Sequence, residues 1–172
     1  ILYYLTIFAS IIQDFFMSDK LDKMDARILN LLQRDASLGV KEIAAEIGLS
    51  VSPTFERIKR LRKERYIERY VVLVNREKLG KHLLVICTVT LKQQSLETLK
   101  NFEEAASKFS EVLEIMCIAG NHDYLLKIAV KDVEDYHIFV MKHLSAIPNV
   151  SKVSSNFVLK EIKKETAIEV EV

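Results

Sequence analysis

The sequence predicts an α+β chain in two parts: an N-terminal helix-turn-helix (winged-helix) domain, a strand linker, and a C-terminal ferredoxin-like domain of order βαββαβ. Three observations lead there. Residues 47–61 read as two helices hinged at Gly48. A narrow apolar stripe at helical spacing precedes them. From residue 82 onward, alternating apolar runs interleave with helical ones in the order strand, helix, strand, strand, helix, strand.

Residues 1–16 are mostly apolar, with Asp14 as their only charge. They lack the basic start and small-residue cleavage site of an export signal and are short for a membrane span, so they read as a leader or extension outside the fold. Met17-Ser18-Asp19-Lys20 looks like a natural start. The helix-turn-helix domain is then expected over 17–66. In its opening helix, 22–34, the residues Met24, Ile28, Leu31 and Leu32 form the buried stripe. A second helix over 40–47 carries Val40, Ile43, Ala44 and Ile47, and Gly48 ends it because glycine adopts the left-handed conformation at little steric cost. Ser52 is placed to cap the next helix, with Pro53 in its first position, where a missing N–H is no loss. Phe55, Ile58 and Leu61 then share a packed side, while Arg60 and Lys63 lie opposite, flanked by Arg57 and Lys59.

The apolar run 66–75 reads as a strand that serves as linker and dimer contact. The charged stretch 76–81, with Gly80, marks a hinge, so that 67–81 forms the link. The second domain, 82–163, begins with Leu83, Val85, Cys87, Val89 and Leu91 alternating along a strand. A helix capped by Ser95 follows, with Leu96, Leu99, Phe102, Ala106 and Phe109. Two strands flank Gly120-Asn121-His122. Leu113, Ile115 and Cys117 lie before that loop, and Tyr124, Leu126, Ile128 and Val130 after it. Asp132 caps a helix that buries Tyr136, Val140 and Leu144. Pro148-Asn149 breaks it, Val153, Ser155, Phe157 and Leu159 make the last strand, and 164–172 is a tail. Both helices of such a fold cover one sheet face. The other face should be polar in a lone domain, yet Leu84, Ile86, Met116 and Ile118 make it apolar, which predicts a dimer.

Charge supplies the functional expectation. Between Thr54 and Tyr70 seven Lys or Arg face three Glu, a local +4 in a chain whose net charge is +1. A solvated helix with a Glu56–Arg60 pair would account for part of this. Three short helices with small apolar faces, the third of them basic, instead fit a DNA-binding domain whose third helix enters the major groove. Nothing announces catalysis: the four histidines show no metal-ligand spacing, and no nucleophile elbow or phosphate loop is present, so no catalytic residue, metal or cofactor is expected. Cys87 and Cys117 sit in apolar runs without a partner at ligand spacing and read as buried, reduced thiols, which places the chain in the cytoplasm. RNA binding is disfavoured by the lack of an aromatic stacking pair on a strand. An architectural DNA-coating role with little or no effector response stays open.

With both halves in view, the chain resembles the Lrp/AsnC, or feast/famine, family of prokaryotic transcription regulators over about residues 20–165. Three segments carry the resemblance. Residues 21–29 (Leu-Asp-Lys-Met-Asp-Ala-Arg-Ile-Leu) match the family's opening helix, and Gly48-Leu49-Ser50 through Glu56-Arg57-Ile58-Lys59-Arg60-Leu61 match its helix-turn-helix signature. Gly120-Asn121-His122-Asp123-Tyr124-Leu125-Leu126 matches its G-x-x-D-Y effector loop. The chain departs from the common pattern at Asn121, where many members have Asp, and at Asn149, where many have Gly.

The resemblance implies a dimer, or a ring of four dimers, on double-stranded operator DNA, with a small effector, usually an amino acid, adjusting assembly or affinity, and no role for a membrane. It also implies that Ser50, Ser52 and Thr54 contact phosphates or bases, that Arg57 and Arg60 follow them into the groove, and that Lys59 and Lys63 add positive charge. On the effector side it implies a cleft made by Gly120, Asn121, His122, Asp123 and Tyr124 and completed between subunits by Ser154 and Ser155. There Asp123 would accept the ammonium of a zwitterion, and the backbone near Gly120 would donate to its carboxylate. A plain hairpin turn capped by Asp123 is the alternative for that loop.

Overall fold

A computed structural model describes residues 21–172, and the expectations for residues 1–16 and for a start at Met17 fall outside the described residues. The chain divides into two compact units, one formed by residues up to 73 together with 163–172, the other by 74–162.

The first unit holds α1 (Lys23–Arg34), α2 (Val40–Ile47) and α3 (Val51–Lys63). Asp22 caps α1, accepting from the N–H groups of Met24 and Asp25, while the Asp25 carboxylate accepts from the Asp22 N–H, a reciprocal capping box. Gly48 ends α2 at φ +76° as its sequence position predicts. The next cap differs from expectation: Ser50, not Ser52, stands at the N-cap of α3, so Ser52 and Pro53 are both inside its first turn. Two serines separated by one residue offer equivalent caps to a reading of residue types, and proline is accepted throughout the turn whose N–H groups lack helical partners. Ile28, Leu29, Leu32, Ile43, Ile47, Ile58 and Leu61 form the core, with Tyr66, Ile67 and Val170 against it. Phe55, expected on that packed side, is instead 51% exposed, and Thr54 takes the buried position.

Residues 66–75, read as a strand, join no ladder among the described residues, and Val71, Val72 and Leu73 remain exposed. The tail does find partners. The side-chain amide of Asn30 donates to the Val170 carbonyl (3.1 Å) and accepts from the Val170 N–H (3.0 Å), and Gln33 does the same with Ile168 (2.8 Å each). Two amides three residues apart on α1 thereby hold alternate residues of an extended segment, and this draws 163–172 into the first unit.

The second unit contains β1 (Leu83–Leu91), α4 (Leu96–Ala106), β2 (Val112–Cys117), β3 (Tyr124–Val130), α5 (Val133–Phe139) and β4 (Val150–Phe157). The sheet order is β2-β3-β1-β4, antiparallel throughout, the ferredoxin-like arrangement. Ser95 and Asp132 cap their helices as expected. Past α5, residues Val140–Leu144 form a π turn closed by the Ser145 N–H on the Val140 carbonyl (2.8 Å). The wider turn changes the buried register, so Tyr136, Phe139, Leu144 and Ile147 face the core, and Val140, expected there, is only half-buried. Leu159 lies beyond the last strand and is exposed. Cys87 is buried as expected, but Cys117 is exposed because β2 is an edge strand. The presumed hinge closes on itself: Arg76 donates to the carbonyls of Lys81 and His82, and Gly80 turns the chain at φ +75°.

Candidate nucleic-acid interface and effector site

Helix α3 is held from behind by charge as well as by its apolar side. Arg57 Nη1 donates to Asp22 Oδ2 (2.6 Å) and Asp25 Oδ1 (2.8 Å), and Arg60 Nη2 donates to the other oxygen of Asp25. The Asp25 side chain is 1% exposed, whereas those of Arg57 and Arg60 are 29% and 41% exposed. These two arginines, expected to follow the serines into the groove, both pair with a buried carboxylate on α1, as charge burial without a partner would be prohibitive, and remain partly exposed. Thr54, also expected at the DNA, faces inward. It is buried, and its hydroxyl donates to the Ser50 carbonyl (2.9 Å), so it presents nothing outward. Arg62 lies over the Tyr70 ring, 5.8 Å from its centroid. Ser50, Ser52, Lys59 and Lys63 are exposed on the helix, together with Val51 and Phe55.

Hydrogen bonding holds the Asp22 carboxyl below its ordinary value, first through the Asp25 N–H and then through the Arg57 guanidinium. A lowered folded-state value means that the stabilisation is fully present above the unfolded value, near 3.8, and disappears as pH falls through the folded one. Asp22→Ala should accordingly destabilise the chain by about 1 kcal/mol at pH 7, the usual worth of a helix cap. The gap between variant and parent should close as pH drops below 4. Thermal melts across pH 7 to 2.5 test this, and a pH-independent gap would contradict it.

In the second unit the predicted effector residues divide between two faces. Asp123 is 3% exposed and already occupied: Leu91 N–H donates to its Oδ2 (2.7 Å) and Gln94 Nε2 to its Oδ1 (2.6 Å). It pins the end of β1 and the start of α4 to the loop, so the hairpin-fastener alternative describes its contacts better than an open ammonium acceptor does. Tyr124 is buried, stacked near Phe102 (4.6 Å between centroids), with its hydroxyl donating to Glu103 (2.8 Å). Ser155 pairs with Cys87 on the helix-covered side and accepts from the Tyr136 hydroxyl (2.5 Å); burial pushes that phenol upward in pKa.

The other candidates gather elsewhere. Gly120, at φ +148°, and Asn121 are exposed in the loop, and His122 Nδ1 lies 3.1 Å from the Thr90 hydroxyl. Ser154 is opposite Thr88, and the two-residue alternation puts Thr88, Thr90 and Ser154 together on the face away from the helices. Sequence reasoning missed Gln94, Thr88 and Thr90. A polar pair alternating with the apolar positions of β1 is a signal that could have found the threonines. Among the described residues no cluster of three or more His, Cys, Asp or Glu is placed to hold a metal.

Comparison with known proteins identifies both units. The AsnC-type helix-turn-helix domain matches residues 21–62 and the Lrp/AsnC ligand binding domain matches 84–168. The chain belongs to the Lrp/AsnC family. It is similar to the Bkd operon transcriptional regulator of Pseudomonas aeruginosa, 34% identical over 86% of this chain and 97% of the relative, and to the leucine-responsive regulatory protein of Escherichia coli, 32% identical over 86% and 90%. Among solved structures, a transcriptional regulator from Neisseria meningitidis in complex with L-Met superposes with a TM-score of 0.83 at 31% identity, covering 87% of this chain and 96% of that one. An AsnC family regulator from Agrobacterium tumefaciens gives 0.82 at 34%, covering 86% and 96%. This Lrp/AsnC chain is thus a transcriptional regulator with a DNA-binding helix-turn-helix and a ligand-binding domain. No helix among its described residues is long and apolar enough to cross a membrane.

Proposed function

We propose that this Lrp/AsnC protein acts in the cytoplasm as a dimer or higher assembly that grips double-stranded operator DNA with α3 and is adjusted by an amino acid. One observation carries the DNA reading: α3 is clamped to α1 on one side and leaves Ser50, Ser52, Lys59 and Lys63 exposed on others. Lysine there acts as a point charge toward phosphate, and the serines are short enough to reach the backbone. A pair of such helices on a two-fold assembly suits a palindromic site. The face of the sheet bearing Ile86 and Met116, and the exposed run 70–74, supply the apolar area for pairing.

For the effector, the polar set on hand is Gly120, Asn121 and His122 from the loop, with Thr88, Thr90 and Ser154 from the open sheet face. An amino acid is favoured because one relative is named leucine-responsive and one structural neighbour is an L-Met complex. The occupied state of Asp123 favours a second reading, an architectural DNA-binding protein with little effector response.

Footprinting of upstream DNA with the full-length chain separates an operator from uniform coating, and calorimetry against the twenty amino acids, with particle size followed, separates the two readings of the second unit. Lys63→Ala should weaken binding about equally on all sequences and reduce the slope of log affinity against log salt by roughly 1. An unchanged slope would remove Lys63 from the phosphate contacts.

A further inference from the structure

The arginines expected in the groove are paired with carboxylates of their own unit, which turns attention to what else α3 presents. Arg57 and Arg60 are tied to Asp22 and Asp25, and Arg62 lies against Tyr70. Exposed in the N-terminal half of the helix are Val51, Ser52, Phe55, Glu56 and, one turn on, Lys59. Phe55 is the anomaly. It is 51% exposed, and Val51, one turn before it on the same side, is 43% exposed, although the unit closes its core with Thr54, Ile58 and Leu61 from this helix. About half of Phe55 therefore lies clear of the core, and an exposed aromatic beside an exposed valine is a surface suited to an apolar partner.

The occupant is constrained by what surrounds the pair. Lys59 follows Phe55 by four residues and Lys63 follows Lys59 by four, so the apolar patch is flanked along the helix by positive charge. A partner that offers apolar points within a strongly anionic frame is the major groove, where the C5-methyl of thymine is the apolar group a side chain can meet. We propose that Phe55, backed by Val51, is the specificity-determining residue of α3 and that it reads thymine methyl groups. Selectivity then rests on apolar contact in place of arginine-to-guanine pairing. This rests on the proposal that α3 binds DNA.

The test uses the full-length chain and a duplex that it selects from random sequence. Each thymine of the selected duplex is replaced in turn by deoxyuridine, which removes only the methyl. Binding of the parent should fall about fourfold at one or two positions, the worth of one buried methyl, with the salt slope unchanged. Phe55→Ala should bind the selected duplex more weakly and lose that discrimination, and Phe55→Leu should retain part of it. Melting curves check that both variants fold, as expected for an exposed position.

Four results overturn the proposal. Deoxyuridine could be silent at every position in the parent, or Phe55→Ala could discriminate as the parent does, which would hand the patch to a protein partner. Binding without any selectable sequence would overturn it too, while leaving the DNA-binding reading intact. A parent that binds no DNA even at low salt would overturn both.

Discussion

Replacing Arg57 and Arg60 together by alanine is expected to destabilise the helical unit by about 3–5 kcal/mol, the range for stranding a buried charge. The Asp25 carboxylate is 1% exposed and among the described residues has these two guanidiniums as charge partners and the Asp22 N–H as a further donor. Either single variant should cost less, since each leaves one guanidinium in place. For a unit of this size the double variant's loss corresponds to more than 10 °C in melting temperature, at about 4 °C or more per kcal/mol. Far-ultraviolet dichroism melts at pH 7 measure it. A loss under about 1 kcal/mol would show that the carboxylate reaches water easily and that the pairing is incidental. Triple replacement of Asp25 by leucine and both arginines by methionine should recover much of the loss, because no charge is then left buried.

Asp123→Ala is the second large effect, expected at about 1–3 kcal/mol, since it leaves the buried Leu91 N–H without an acceptor. Asp123→Asn separates two roles. As a fastener, asparagine retains an oxygen for the Leu91 N–H, and Gln94 can turn its amide to match, so most of the stability should return. As the acceptor of a ligand ammonium, the neutral residue should bind no amino acid while the chain melts normally. Melting and calorimetry on the same variant read both roles, and loss of binding without loss of stability would restore Asp123 to the ligand.

Local grammar made much of this structure legible. The helix over 40–47, the left-handed cap at Gly48, the caps at Ser95 and Asp132, and the alternation of Leu83 to Leu91 each depend on neighbours close in sequence, and the structure has each of them. What escaped depends on residues that meet only in three dimensions. Arg57 lies 35 residues from Asp22 and 32 from Asp25, so its orientation could not be read from a helical wheel. A wheel also cannot choose between Thr54 and Phe55 at the margin of an apolar face, where the partner helices decide. The π turn after α5 adds one residue to the repeat and thereby moves the buried position from Val140 to Phe139. The effector loop was found as a segment by resemblance, but which of its side chains turn inward is set by Leu91 and Gln94, some thirty residues upstream.

The amides of Asn30 and Gln33 set an order of events during synthesis. Their partners Val170 and Ile168 lie 140 and 135 residues later in the chain. At roughly 5–20 residues per second, a ribosome delivers those partners on the order of ten seconds after α1 itself. The three helices can associate in that interval, with water bonded to both amides, while the whole second unit is being translated. The helical unit, whose three helices are made before the sheet, is therefore completed only after the sheet has been made.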